Sequence, residues 1–189
     1  MSAPNSPPVY SYVVRTEARD VVMFQRTIYL EGDASDGFRL LAKIDEEDTA
    51  IDLSEILLED AMSSDDPGDV SISENVVDGF GHVLGQAVAR QIVALTPDLS
   101  SSKQAELALA GIVRSLGAPY TEALSEGTTQ YRFDHCPLCD ASDRTGIEEV
   151  DLAHRALSAL VVTTIGAIHP DRVVSMPRGK NDEHVFGLA

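Results

Sequence analysis

Tyr131-Arg132-Phe133-Asp134-His135-Cys136-Pro137-Leu138-Cys139-Asp140 contains both cysteines of the chain. It also separates two kinds of pattern. Upstream, Thr128–Asp134 alternates, with Thr129, Tyr131 and Phe133 on one side, and this period of two predicts a strand. Downstream, a polar segment at Ala141–Gly146 reads as a loop. From about Glu148 to Ile168 the apolar residues Ala153, Ala156, Leu157, Leu160, Val161, Ile165 and Ile168 recur at helical spacing. Acidic residues in the first turn of that helix complement its dipole, and His169-Pro170 ends it. Arg172–Met176 and His184–Leu188 read as two closing strands.

Two further helices precede the cysteine stretch. One starts near Ser73 and stops before Pro97, with Val76, Val77, Phe80, Val83, Leu84, Ala87, Val88 and Ile92 on a broad face. Gly79, Gly81 and Gly85 lower its helix propensity, a cost accepted most readily where something packs close to the backbone. The other begins at a Ser100–Ser102 cap and carries Leu107, Ala108, Gly111, Ile112 and Leu116. Gly117 and Pro119 then end it.

The front of the chain is strand-rich. Val9–Thr16 and Val21–Leu30 flank a polar turn at Glu17–Asp20, the pattern of a hairpin. Phe38–Ile44 reads as a third strand or the start of a helix, and Ile51–Met62 as a short amphipathic helix capped by Asp52 or Ser54. A solvated loop at residues 63–69 divides this front part, 9–62, from the back part, 72–189, and residues 1–8 read as a flexible tail. Together these patterns predict a single α+β domain: an antiparallel sheet with three main helices packed on one face.

The charge balance is unusual. The 189 residues include 31 acids and 14 bases, for a net charge of −17. Only three of the bases are lysines, and aspartates outnumber glutamates 18 to 13. A surface dense in short carboxylates and poor in lysine resembles halophilic proteins, in which salt screens the self-repulsion. An ordinary acidic protein is the alternative. Either way the charge opposes direct binding to nucleic acid or to an anionic membrane. No membrane span or signal peptide is apparent, and two cysteines do not make a secreted disulfide framework. A cytoplasmic location with reduced thiols is expected.

Cys136 and Cys139 put two sulfurs on one tight turn stiffened by Pro137, close enough to share one tetrahedral ion. Zinc is the expected cofactor on this reading. His154, one turn into the following helix, is the best third ligand. Cys136, Cys139 and His154 with an open position would suit catalysis, whereas a fourth ligand from His135, His82, His169 or His184 would make the site structural. Thiol chemistry is the second reading, with Cys136 as nucleophile and His154 as general base. Asp134 and Asp140 work against it by disfavouring a thiolate. A thioredoxin-like dithiol is disfavoured because a loop is expected between the cysteines and the next helix. Cysteines are also common as small buried hydrophobes, so silent packing competes with both readings.

From about Val76 to Leu188 the chain resembles 4-vinyl-reductase-like ligand-binding domains and the family named for L-2-amino-thiazoline-4-carboxylic acid hydrolase. The resemblance rests on two helices before a strand, on Tyr131 to Pro137 running into a Cys-Pro step, and on the ending Gly179-Lys180-Asn181-Asp182-Glu183-His184-Val185-Phe186. Asp182 and Phe186 match the closing motif of the hydrolase-like family, but its late cysteine is missing near His184 or Val185. The resemblance implies a small-molecule site or a hydrolase, with His184 standing in for the lost cysteine beside Cys136 and Cys139.

Three functions follow as expectations. The first is a sensor or accessory domain that binds a small molecule or metal at Cys136, Cys139 and His154. The second is a hydrolase using Cys136 or a zinc-bound water. The third is an interaction protein that meets a partner chain, or a second copy of itself as a homodimer, with its cysteines buried.

Overall fold

The computed structural model describes residues 8–16, 22–44, 51–63, 70–125, 128–179, 181 and 183–189. The expected tail up to residue 7, the turn at 17–20, the acidic runs at 45–48 and 65–69, and Asp182 lie outside them.

The protein is α+β. In chain order the elements are β1 (Pro8–Thr16), β2 (Val22–Asp33), β3 (Gly37–Ile44), α1 (Leu53–Ser63), α2 (Val70–Leu95) and α3 (Ser101–Ser115). Then follow β4 (Tyr120–Ser125), β5 (Thr128–Phe133), α4 (Pro137–Thr145), α5 (Val150–Ile168), β6 (Val174–Ser175) and β7 (Val185–Leu188). Among the described residues the strands form two antiparallel sheets rather than one: β1-β2-β3 and β4-β5-β7-β6. The helices pack against both sheets. The first sheet meets α1, α2 and α3, while β5 and β7 meet α3, and β6 meets α5. Residues from both sheets and all five helices share one apolar cluster.

Phe38–Ile44 forms a strand, not a helix start. Phe38, Leu40 and Ala42 are buried on one side, as a period of two requires. Two elements escaped the sequence reading. Strand β4 is missing from it because four of its six residues are exposed, leaving little apolar alternation to see. The segment Ala141–Gly146, expected as a loop, instead belongs to α4 and its C-cap. Its polar residues face outward while Leu138 and Ala141 are fully buried, and Gly146 ends the helix at φ 75°. The helix expected from Ser73 begins earlier, at Val70. Val83, assigned to its core face, is 44% exposed.

The pairing of α2 with α5 organises the interior. A Cβ at Gly81 would collide with the Ala156 carbonyl oxygen, and one at Gly85 would come within 2.7 Å of the Leu160 carbonyl oxygen. These glycines let two helix backbones approach closely. Gly79, two residues before Gly81 and so on another face of the helix, has nothing within 4 Å and plays no such part. Contrary to expectation, α5 is long and apolar enough by length and composition to cross a membrane, with mean hydropathy 1.2 over the window. Half of that window is buried inside the fold, so its apolar character is that of a core helix.

A buried polar cluster joins the first sheet to α1. Arg26 of β2 shares its side of the strand with Ile28 and Leu30, and like them it is fully buried. It is ion-paired with Glu59, lies 3.8 Å from Asp60, and donates to the Tyr12 hydroxyl at 3.4 Å. Tyr12 in turn donates to Asp60 at 2.9 Å. Burial pushes the Asp60 carboxyl up to about 7 against the pull of Arg26.

Candidate functional site

Strand β5 ends at Phe133, whose N–H donates to the carbonyl of His184 at 2.9 Å. Only Asp134 and His135, both exposed, then separate the strand from the N-cap of α4. That N-cap is Cys136. Its carbonyl accepts the Asp140 N–H at 2.9 Å, and its Sγ accepts the Cys139 N–H at 3.2 Å. The sulfur thus takes the place that a serine or aspartate oxygen usually fills. Pro137 suits the first helical position because a donor there would have no partner within the helix. The expectation of a loop between the cysteines and the next helix is therefore corrected. The Cys-x2-Cys segment is itself the first turn of a helix.

Helix α4 packs against α1 and α5. Its Arg144 is ion-paired with Glu55 of α1 at 3.1 Å. The short turn after Gly146 brings the chain back as α5, placing His154 against the start of α4. His154 Nε2 lies 3.3 Å from Cys136 Sγ. The cysteine is 4% exposed and the histidine 2%. Cys139 is half-buried, and neither cysteine is in a disulfide.

The predicted residues are thus placed unequally. Cys136, Cys139 and His154 meet at one corner, the two cysteines through a backbone-to-sulfur hydrogen bond and the histidine through its ring. His184 lies just before β7 and reaches β5 through its backbone carbonyl. Its Nδ1 is buried and, among the described residues, has no hydrogen-bond partner. His135 is exposed. His82 bonds Thr163 and Gln86 on the outer side of α2, and His169 caps the C-terminus of α5. Among the described residues, no three His, Cys, Asp or Glu side chains are gathered as a metal ion would require.

Chemically, the corner offers a sulfur nucleophile, a ring nitrogen able to take its proton, and an amide N–H aimed at the sulfur from a helix N-terminus. These are the groups that support a reactive thiolate in proteins. Asp134 is exposed to water, which screens its charge from the buried sulfur. No protein-family model matches the chain, and no curated protein or solved structure gives a significant match.

Proposed function

We propose that the protein is a thiol-based sensor or accessory domain in which Cys136 reacts with a small molecule and His154 acts as its general base. The observation that carries this reading is the 3.3 Å contact between Cys136 Sγ and His154 Nε2 in a buried corner. A cysteine that merely packs needs apolar neighbours. This one has an imidazole nitrogen and an amide donor on its sulfur. The test is alkylation of the native protein by iodoacetamide, with the modified residue located by mass spectrometry. Cys136 is expected to react in the folded state. Modification of Cys136 only after unfolding would refute the reading.

A zinc site is the second reading, favoured by the buried Nδ1 of His184, which has no hydrogen-bond partner among the described residues. Cys136, Cys139 and His154, whose side chains are not gathered around one point, would close together on the ion, with His184 as fourth ligand after a movement of the segment before β7. Zinc there would tie β7 to α4 and α5. Elemental analysis of the purified protein decides it. About one zinc per chain, with a melting temperature lowered by chelator, supports this reading; absence of zinc after expression in zinc-replete medium excludes it.

A further inference from the structure

Resting on the thiol reading above, we infer that Cys139 is the resolving thiol of the site and that the small molecule is a neutral hydroperoxide. The geometry comes first. Cys136 Sγ already accepts the backbone N–H of Cys139, so the sulfur sits over the residue that would close a disulfide. Residues three apart in a helical first turn have Cα atoms roughly 5–6 Å apart, inside the range a disulfide spans. Cys139 is the more open of the two thiols, while Cys136 carries the base.

The reagent class follows from access and charge. Cys136 is almost fully buried, so only a small molecule reaches its sulfur. The chain carries a net charge of −17. That field disfavours anionic oxidants such as oxidised peptide thiols. A hydroperoxide is small and uncharged.

The steps balance. His154 takes the proton of the Cys136 thiol. The thiolate attacks the terminal oxygen of the hydroperoxide, the O–O bond breaks, and Cys136 becomes a sulfenic acid. The departing alkoxide or hydroxide takes the proton from His154. Cys139 then gives its proton to His154 and attacks the Cys136 sulfur. The S–O bond breaks, and hydroxide leaves as water with that proton. In total, two thiols and one hydroperoxide yield a disulfide, an alcohol or water, and water. Closing the disulfide turns Cys136 Sγ away from His154 and ends its role as helix cap.

The experiment treats the reduced full-length chain with one equivalent of hydrogen peroxide and follows the peptide carrying both cysteines by mass spectrometry. The wild type is expected to lose about 2 Da, reversibly with a reducing agent, and C139S to gain about 16 Da at Cys136 as a species trapped by dimedone. If C139S fails to fold, the wild-type peptide alone decides. An unchanged peptide, or a disulfide between two chains, overturns the inference. The alkylation test separates the two readings. Should Cys136 alkylate in the folded protein yet ignore peroxide, only the resolving role and substrate class fall. Should it resist both reagents, the thiol reading falls as well.

Discussion

The sulfur of Cys136 caps helix α4 and touches the His154 ring of helix α5 at 3.3 Å, joining two helices through one sulfur and one imidazole nitrogen. If His154 removes the thiol proton, H154Q slows alkylation of native Cys136 at neutral pH by at least about a hundredfold, the lower edge of what a positioned base contributes. Stopped-flow or quenched mass spectrometry measures the rate. An unchanged rate in folded H154Q would leave His154 a packing residue.

The contact of α2 with α5 yields a matched pair of substitutions. G85A pushes a methyl group toward the Leu160 carbonyl oxygen and is expected to cost about 1–3 kcal/mol, as overpacking does. G79A meets open space in the same helix and is expected to stabilise by about 0.5–1 kcal/mol through helix propensity alone. Urea denaturation distinguishes the signs. Equal effects would mean that the two helix backbones are not in close approach at Gly85.

Arg26 is a buried charge whose carboxylate partners come from another element. R26M leaves those carboxylates without their cation and is expected to lower stability by about 3–5 kcal/mol. Denaturant midpoints report the loss. A cost below about 1 kcal/mol would show that Glu59 and Asp60 find water instead.

Asp60 makes stability depend on pH in a definite direction. Its carboxyl rises from an ordinary 3.8 to about 7 on folding, chiefly through burial. Its contribution is therefore complete below about pH 4 and is lost as pH rises through 7. D60N does not titrate there. The stability of D60N relative to wild type should thus increase from pH 5 to pH 8 by roughly 1–3 kcal/mol. Thermal melts at both values check it, and a constant difference would refute the burial argument.

The excess of carboxylates predicts a response to salt. At 0.1 M the screening length is about 10 Å, and it shortens as salt is added. With a net charge of −17, the melting temperature is expected to rise between 0.1 M and 2 M potassium chloride. A flat or falling curve would remove the halophilic reading.

Much of the fold was legible in periodicity. The three main helices and the strand ending at Phe133 showed one-sided apolar patterns, because each buries one face, while the hairpin strands showed as runs of β-branched and aromatic residues around a polar turn. Strand β4 did not, since most of it faces water. Helix α4 was hidden because a nine-residue helix with a narrow buried stripe has the composition of a polar loop. The buried Arg26 cluster left a signal that went unused. Arg26 shares strand parity with Ile28 and Leu30, and Asp60 shares helical spacing with Ile56 and Leu57, so both point inward.

By itself the sequence determined the α+β class and the pairing of two cysteines on one turn, because these depend on local spacing, and it singled out His154 as the candidate neighbour. Only the tertiary structure decided that the strands divide into two sheets, that Cys136 caps a helix and that His154 Nε2 reaches its sulfur. Those outcomes depend on how α4 folds back onto α5, a matter of packing between elements that no single stretch of chain encodes.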